Sequence, residues 1–227
     1  MAAGALHAAT GFGFSLIASP VLVGAYGPAV GITTLTLISV AINVMTLATE
    51  GRRPAGDWPR VTVLILAVLP GAALGAALLK FADQQVIELM IAVGVLAAIA
   101  ARLLPSRRAL PLAAVPAGVL SGAFGVSTGI GGPPLILHLL HVGMAPLRMR
   151  DTLAAVFLFT ALLGLASFVA IGVWALPEGL LLLVVATAVG HVMGRRVFAR
   201  MGPKAYERVV LGTMAVSAAA TLALLST

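Results

Sequence analysis

Long apolar stretches separated by short charged clusters set the first expectation. Residues 1–49 contain no Asp, Glu, Lys or Arg, and further uncharged runs cover 61–79, 109–147, 152–177, 179–194 and 209–227. About 20 apolar residues suffice for one transmembrane helix. The more charged stretch from Glu88 to Arg102, ELMIAVGVLAAIAAR, supplies another span. Runs 1–49 and 109–147 are too long for a single helix, and each contains a glycine-rich break, Gly11 to Gly13 in the first and Gly125 to Gly132 in the second. Each long run must therefore fold back or be interrupted.

Composition agrees with that pattern. Of 227 residues, 61% are apolar and 9% charged, against roughly 25% charged in soluble domains. A soluble globule is excluded, and there is room for one membrane bundle with short connections. The absence of cysteine removes disulfides, thiolate metal sites and thiol nucleophiles together. The opening MAAGALHAATGFGF has no basic n-region, which argues against a cleaved signal peptide.

The positions of the 14 Lys and Arg residues decide how the chain is threaded. If each glycine break is a re-entrant hairpin, at 2–25 and 110–143, ordinary spans follow near 29–49, 61–79, 85–102, 151–174, 179–195 and 206–226. Thirteen basic residues (Arg52, Arg53, Arg60, Arg102, Arg107, Arg108, Arg148, Arg150, Arg195, Arg196, Arg200, Lys204 and Arg208) then share one side, against Lys80 alone. A single crossing at the second break would divide them six to eight. Because basic residues collect in cytoplasmic loops, the sequence predicts two hairpins and six spans, with both termini external.

Three spans per half require a repeated second half to be upside down relative to the first. GALHAATGFGFSLIASP (4–20) aligns with GVLSGAFGVSTGIGGPP (118–134), pairing Gly4 with Gly118, Gly11 with Gly125 and Pro20 with Pro134. Pro28 and Thr34 pair with Pro146 and Thr152, and Glu88 falls opposite Glu207. The expected fold is an all-α polytopic membrane protein of two inverted-topology repeats, 1–104 and 105–227, each a broken, re-entrant helical hairpin plus three transmembrane helices. Such repeats place substrate sites between broken helices near the midplane.

The hairpin tips carry the candidate chemistry. Non-helical backbone at membrane depth persists only when buried in protein or facing a wet cavity. Within Gly125–Pro134, glycines permit the turn and Pro133 suits the first turn of a returning helix. The new N-terminus directs N–H groups and partial positive charge toward the tip, an arrangement that attracts anions. Ser127 and Thr128 add hydroxyls there, with Ser121 nearby, and Gly129, Gly131 and Gly132 complete the turn. Gly11, Gly13 and Ser15 repeat the design in the first hairpin. The alternative is that small residues merely let helices pack closely, and the four-residue spacing of Gly71 with Gly75 and of Gly190 with Gly194 reads that way.

His7 lies on the first leg of hairpin 1, and His138 and His141 on the returning leg of hairpin 2. No Cys and no intramembrane carboxylate completes a ligand set, so no metal or other cofactor is expected. His138 is a candidate for lining the anion path, whereas His141 and His191 read as histidines hydrogen-bonded in the bundle. Arg148 and Arg150 would concentrate anions at the cytoplasmic mouth or serve as positive-inside anchors, and Asp151 would pair with a neighbouring Arg. Thr36, Ser39, Asn43 and Thr160 are the polar residues in mid-span; Asn43 and His7 are candidates for the path. Carboxylates, the usual proton or cation relays, are missing from the middle of every span.

GFGFSLIASPVLVG near the start, SGAFGVSTGIGGPPLILHLLHVGMAPLRMRDTLAAVF in the second half, and the helix count together resemble the sulfite exporter TauE/SafE family of bacterial permeases across essentially the whole chain. The resemblance implies transport of sulfite, sulfoacetate or another small organosulfonate anion across the bacterial cytoplasmic (inner) membrane. It also implies that Gly11, Gly13, Ser127, Thr128, Gly129, Gly131 and Gly132 line the site. Lipid and a small anion are the expected partners, with a homodimer plausible from small-residue faces and nucleic acid not expected.

Two other classes compete with this reading. Gly125–Gly129 formally matches G-x-S-x-G, so a rhomboid-type serine protease would use Ser127 and His191. That motif marks a nucleophile elbow only in an α/β sheet, and Thr128 stands where a rhomboid serine is followed by glycine. A non-transporting membrane subunit has no reason to retain broken helices. The expectation is a permease, not an enzyme.

Overall fold

Both glycine-rich breaks interrupt helices in the computed structural model, which describes residues 1–49, 51–103 and 112–198. The expected last span at 206–226, with Arg107, Arg108, Arg200, Lys204, Glu207 and Arg208, lies outside the described residues. Among the described residues there are eight helices and no strand. They are α1 (Ala2–Thr10), α2 (Gly13–Ala48), α3 (Trp58–Phe81), α4 (Gln84–Leu103), α5 (Ala114–Thr128), α6 (Gly132–His141), α7 (Pro146–Ile171) and α8 (Leu180–Phe198). Three of them, α2, α3 and α7, are long and apolar enough to cross a membrane, while α5 and the Gln84–Ala97 part of α4 are apolar but shorter.

Hairpin 1 turns where α1 ends on Gly11 (φ 81°), whose N–H donates to His7 O. Hairpin 2 turns where α5 ends on Gly129 (φ 76°), whose N–H donates to Gly125 O. This left-handed cap satisfies a helix-terminal carbonyl, and glycine adopts it without a Cβ penalty. The alignment pairs Gly11 with Gly125, but the matching cap falls at Gly129, one turn later. The second hairpin's first leg is longer by that turn.

Length alone conceals a reversal in α2. Gly27 leaves helical geometry (φ 74°, ψ 169°) just before Pro28. A Cβ on Gly31 would lie 2.7 Å from Leu22 O and 2.9 Å from Val23 Cα. In a straight helix residues 22 and 31 would be about 13 Å apart along the axis at 1.5 Å per residue. The chain thus doubles back at Gly27, separating the returning leg of hairpin 1 from the helix that follows.

Hairpin 2 closes in the same way. Residues 142–145, including Gly143 (φ 68°), link α6 to α7. His138 Nδ1 lies 2.9 Å from Leu112 O, just before α5. The far end of the returning leg therefore reaches the start of the outgoing one.

The hairpins are held by helix contacts that leave no room for side chains. A Cβ on Gly71 of α3 would collide with the Val119 carbonyl of α5, and one on Gly122 of α5 with the Val68 carbonyl of α3. Leu64 faces Gly118 as Val68 faces Gly122, so α3 and α5 run in the same direction. The α1–α8 seam uses matching positions. Gly4 meets the Thr187 carbonyl as Gly118 meets that of Leu64, and Gly194 meets Ala5 as Gly71 meets Val119. Gly71, Gly75, Gly190 and Gly194 all act in packing, as their spacing suggests.

Away from these seams, Leu66, Leu69 and Leu74 of α3, Leu89 and Leu96 of α4, and Leu181 and Leu182 of α8 are exposed, as expected of surfaces that face lipid. Because the native chain has no cysteine, Ala113→Cys and Gly143→Cys each introduce a unique thiol, one at either end of hairpin 2. A membrane-impermeant thiol reagent is expected to reach both from the same side; labelling from opposite sides would contradict the fold-back.

Candidate functional site

The two tips and the two helices between them line a cavity, part of it open to the outside. Hairpin 1 contributes His7, Phe12 and Ser15, and hairpin 2 contributes Gly125, Val126, Gly129, Gly131 and Gly132. Leu35, Thr36, Ser39 and Asn43 line it from α2, facing Phe157, Thr160, Ala161 and Gly164 from α7. All four mid-span polar residues singled out in the sequence, Thr36, Ser39, Asn43 and Thr160, thus reach one space. No carboxylate is among the lining residues.

Several hydroxyls near this space already donate to helix carbonyls four residues earlier: Thr36 Oγ1 to Ile32 O (2.7 Å), Thr160 Oγ1 to Val156 O (2.8 Å) and Ser127 Oγ to Ala123 O (2.7 Å). Thr128 Oγ1 donates to Phe124 O and accepts from Ile130 N, bracing the turn. These side chains can still accept hydrogen bonds, but their protons are engaged. Donors for an anion must come largely from backbone. Pro133 and Pro134 carry no N–H, so the entry to α6 offers chiefly the Gly131 and Gly132 amides. Gly131 sits so close to Ser121 that a Cβ would lie 2.8 Å from Ser121 O and 3.0 Å from its Oγ.

Other residues named from the sequence fall elsewhere. Gly11 packs on Arg150, and Gly13 begins α2 beside the cavity-lining Phe12. Buried Ser121, Ser127 and Thr128 support the tip from behind, while His138 fastens the base of hairpin 2. His141, expected to be hydrogen-bonded in the bundle, is instead exposed at the end of α6. His191 is buried against His7. No hydrogen bond joins it to Ser127, whose hydroxyl is held by Ala123, so the protease geometry is not assembled.

The structure separates Arg148 from Arg150. Arg148 is exposed, with Nη2 3.8 Å from Asp57 Oδ2. Arg150 is buried under hairpin 1, where its Nη1 donates to Ala8 O (3.2 Å). Asp151 takes its main partner from far along the chain: Arg52 Nη1 and Nη2 donate to it at 2.6 and 2.9 Å, and Ala55 N at 2.6 Å. Arg150 Nε is 3.9 Å away. Asp57 N also donates to Thr152 Oγ1, so the connection between α2 and α3 is strapped to the start of α7.

Ser19 had no sequence signal beyond a polar residue in an apolar leg. Its Oγ donates to Thr128 O at 2.6 Å, fully buried, and joins the returning leg of hairpin 1 to the tip of hairpin 2.

Against known proteins, a family model described as Sulfite exporter TauE/SafE matches residues 1–221. No curated protein and no solved structure matches the chain.

Replacing Ser19 by Ala removes only the hydroxyl, and with it the bond that spans the two hairpins. The Thr128 carbonyl then loses its donor, which is expected to cost about 1 kcal/mol. The midpoint of thermal unfolding in detergent should fall for Ser19→Ala and stay near wild type for Ser19→Thr; equal midpoints for Ser19→Ala and wild type would remove that role.

Proposed function

The chain belongs to the sulfite exporter TauE/SafE family of membrane permeases, and from that premise we propose that it is a secondary transporter of a small oxyanion. Sulfite or an organosulfonate such as sulfoacetate is the substrate class this reading favours. The observation that carries it is the cavity where the two hairpin tips meet, lined by Ser15, Ser39 and Asn43 and by Gly131 and Gly132 at the start of α6, and by no carboxylate. An anion entering it exchanges water for oriented dipoles rather than for opposing charge. Arg150, buried beneath hairpin 1, adds attraction from the side of the basic loops.

The architecture behind this reading is an inverted repeat working by alternating access, with the tips near the bilayer midplane. Support comes from the two glycine seams. The first leg of each hairpin packs against a helix of the other half, and Gly4 on Thr187 mirrors Gly118 on Leu64. Rocking one half against the other would open the cavity to each side in turn. By the distribution of basic residues, the side bearing Arg52, Arg60 and Arg148 faces the cytoplasm, and the membrane is the bacterial inner membrane.

Purified protein in liposomes provides the test, with sulfite, sulfate, sulfoacetate, taurine and a neutral solute offered in parallel. Saturable uptake of at least one anion, with no protein-dependent flux of the neutral solute, is expected. Saturable flux of the neutral solute with none of the anions would overturn the assignment.

A further inference from the structure

Two histidines meet in the seam between α1 and α8. His7 and His191, 3% and 1% exposed, bring their ring centroids to 6.1 Å with the planes tilted by 41°. The seam is held by Gly4 against Thr187 and Gly194 against Ala5, so the backbones carrying the rings are fixed. His7 lines the anion cavity, and His191 stands behind it, away from the lining.

From α7, buried Arg150 donates to Ala8 O, next along the chain from His7, and Asp151 beyond it is already held by Arg52. Toward α2, Asn43 lines the same cavity as His7, and no charged residue occurs between Gly13 and Ala48. Met1, which precedes α1, lies against Gly190, and Arg195, one turn past His191, donates to Thr49 O.

We propose that the His7–His191 pair is a proton-binding site linked to the cavity, so that the anion crosses together with a proton. This rests on the permease reading given above. Imidazole exchanges its proton near neutral pH more readily than any other unperturbed side chain. Ionisable residues inside a membrane bundle commonly mark relays. A proton on either ring adds positive charge beside Arg150, which repulsion in a low-dielectric interior opposes. An anion in the cavity supplies the compensating negative charge. Anion and proton therefore each strengthen binding of the other, reciprocally. The proton enters from the side to which the cavity is open, resides on an imidazole nitrogen while the anion is bound, and leaves on the other side with it. No covalent bond of the substrate changes.

The test uses the full-length protein in liposomes containing a fluorescent pH indicator. Sulfate and sulfoacetate are the probes, because both remain ionised near neutral pH and cannot themselves ferry the proton. In wild type, an imposed pH gradient is expected to drive probe accumulation beyond equilibrium, with matching proton movement. His191→Gln or His191→Asn, outside the cavity lining, should retain anion-for-anion exchange while pH-driven accumulation falls at least tenfold. The exchange flux certifies that the variant is folded, and His7→Gln should lose the same accumulation. Undiminished pH-driven accumulation in the His191 variants, or net anion uptake by wild type without proton movement, would overturn the coupling site and leave the permease standing. Absence of exchange of every anion in the wider panel, sulfite included, would overturn both.

Discussion

Backbone that leaves a helix inside an apolar bundle must find partners for its N–H and C=O groups, and this requirement governs the arrangement of both hairpins. Gly11 and Gly129 meet it locally, each returning its N–H to a carbonyl one turn back through a left-handed conformation. Thr128 meets it twice more: its hydroxyl accepts from Ile130 N, and its carbonyl accepts from Ser19 on the opposite hairpin. Satisfying one tip thus recruits a residue of the other. Bringing the tips into contact is part of how the backbone is paid for, and the cavity lies where they meet.

Close packing makes the contact possible. Gly71 and Gly122 allow α3 and α5 to approach until backbone touches backbone, and Gly4 and Gly194 do the same for α1 and α8. Larger residues at these points would push each hairpin outward and separate the tips. The same seams fix the neighbours of the cavity. His7 is carried by α1 to His191 on α8, while the Arg52–Asp151 strap anchors α7 and, with it, Arg150 beneath hairpin 1.

Much of this was legible in the sequence because it depends on local chemistry. Charge-free runs marked the membrane helices, glycine clusters marked the breaks, and Thr36, Ser39, Asn43 and Thr160 stood out as polar residues among apolar ones. What was not legible depends on distant pairs. Ser19 has no special spacing until Thr128 is beside it, Asp151 chooses Arg52 over its neighbour Arg150, and His191 gains meaning only against His7. The offset between Gly125 and Gly129 escaped for another reason. A glycine-rich segment offers several residues able to adopt a positive φ, and packing of the whole hairpin selects one.

The central claim is that a small oxyanion rests between the two tips. Selenite, the selenium counterpart of sulfite, makes that position visible, because selenium scatters X-rays anomalously. In crystals of the protein grown with selenite, the account predicts an anomalous peak inside the cavity, between Ser15 of hairpin 1 and the Gly131 and Gly132 amides of hairpin 2. A cavity without a peak in crystals that bind selenite elsewhere, on the exposed basic loops, would contradict it.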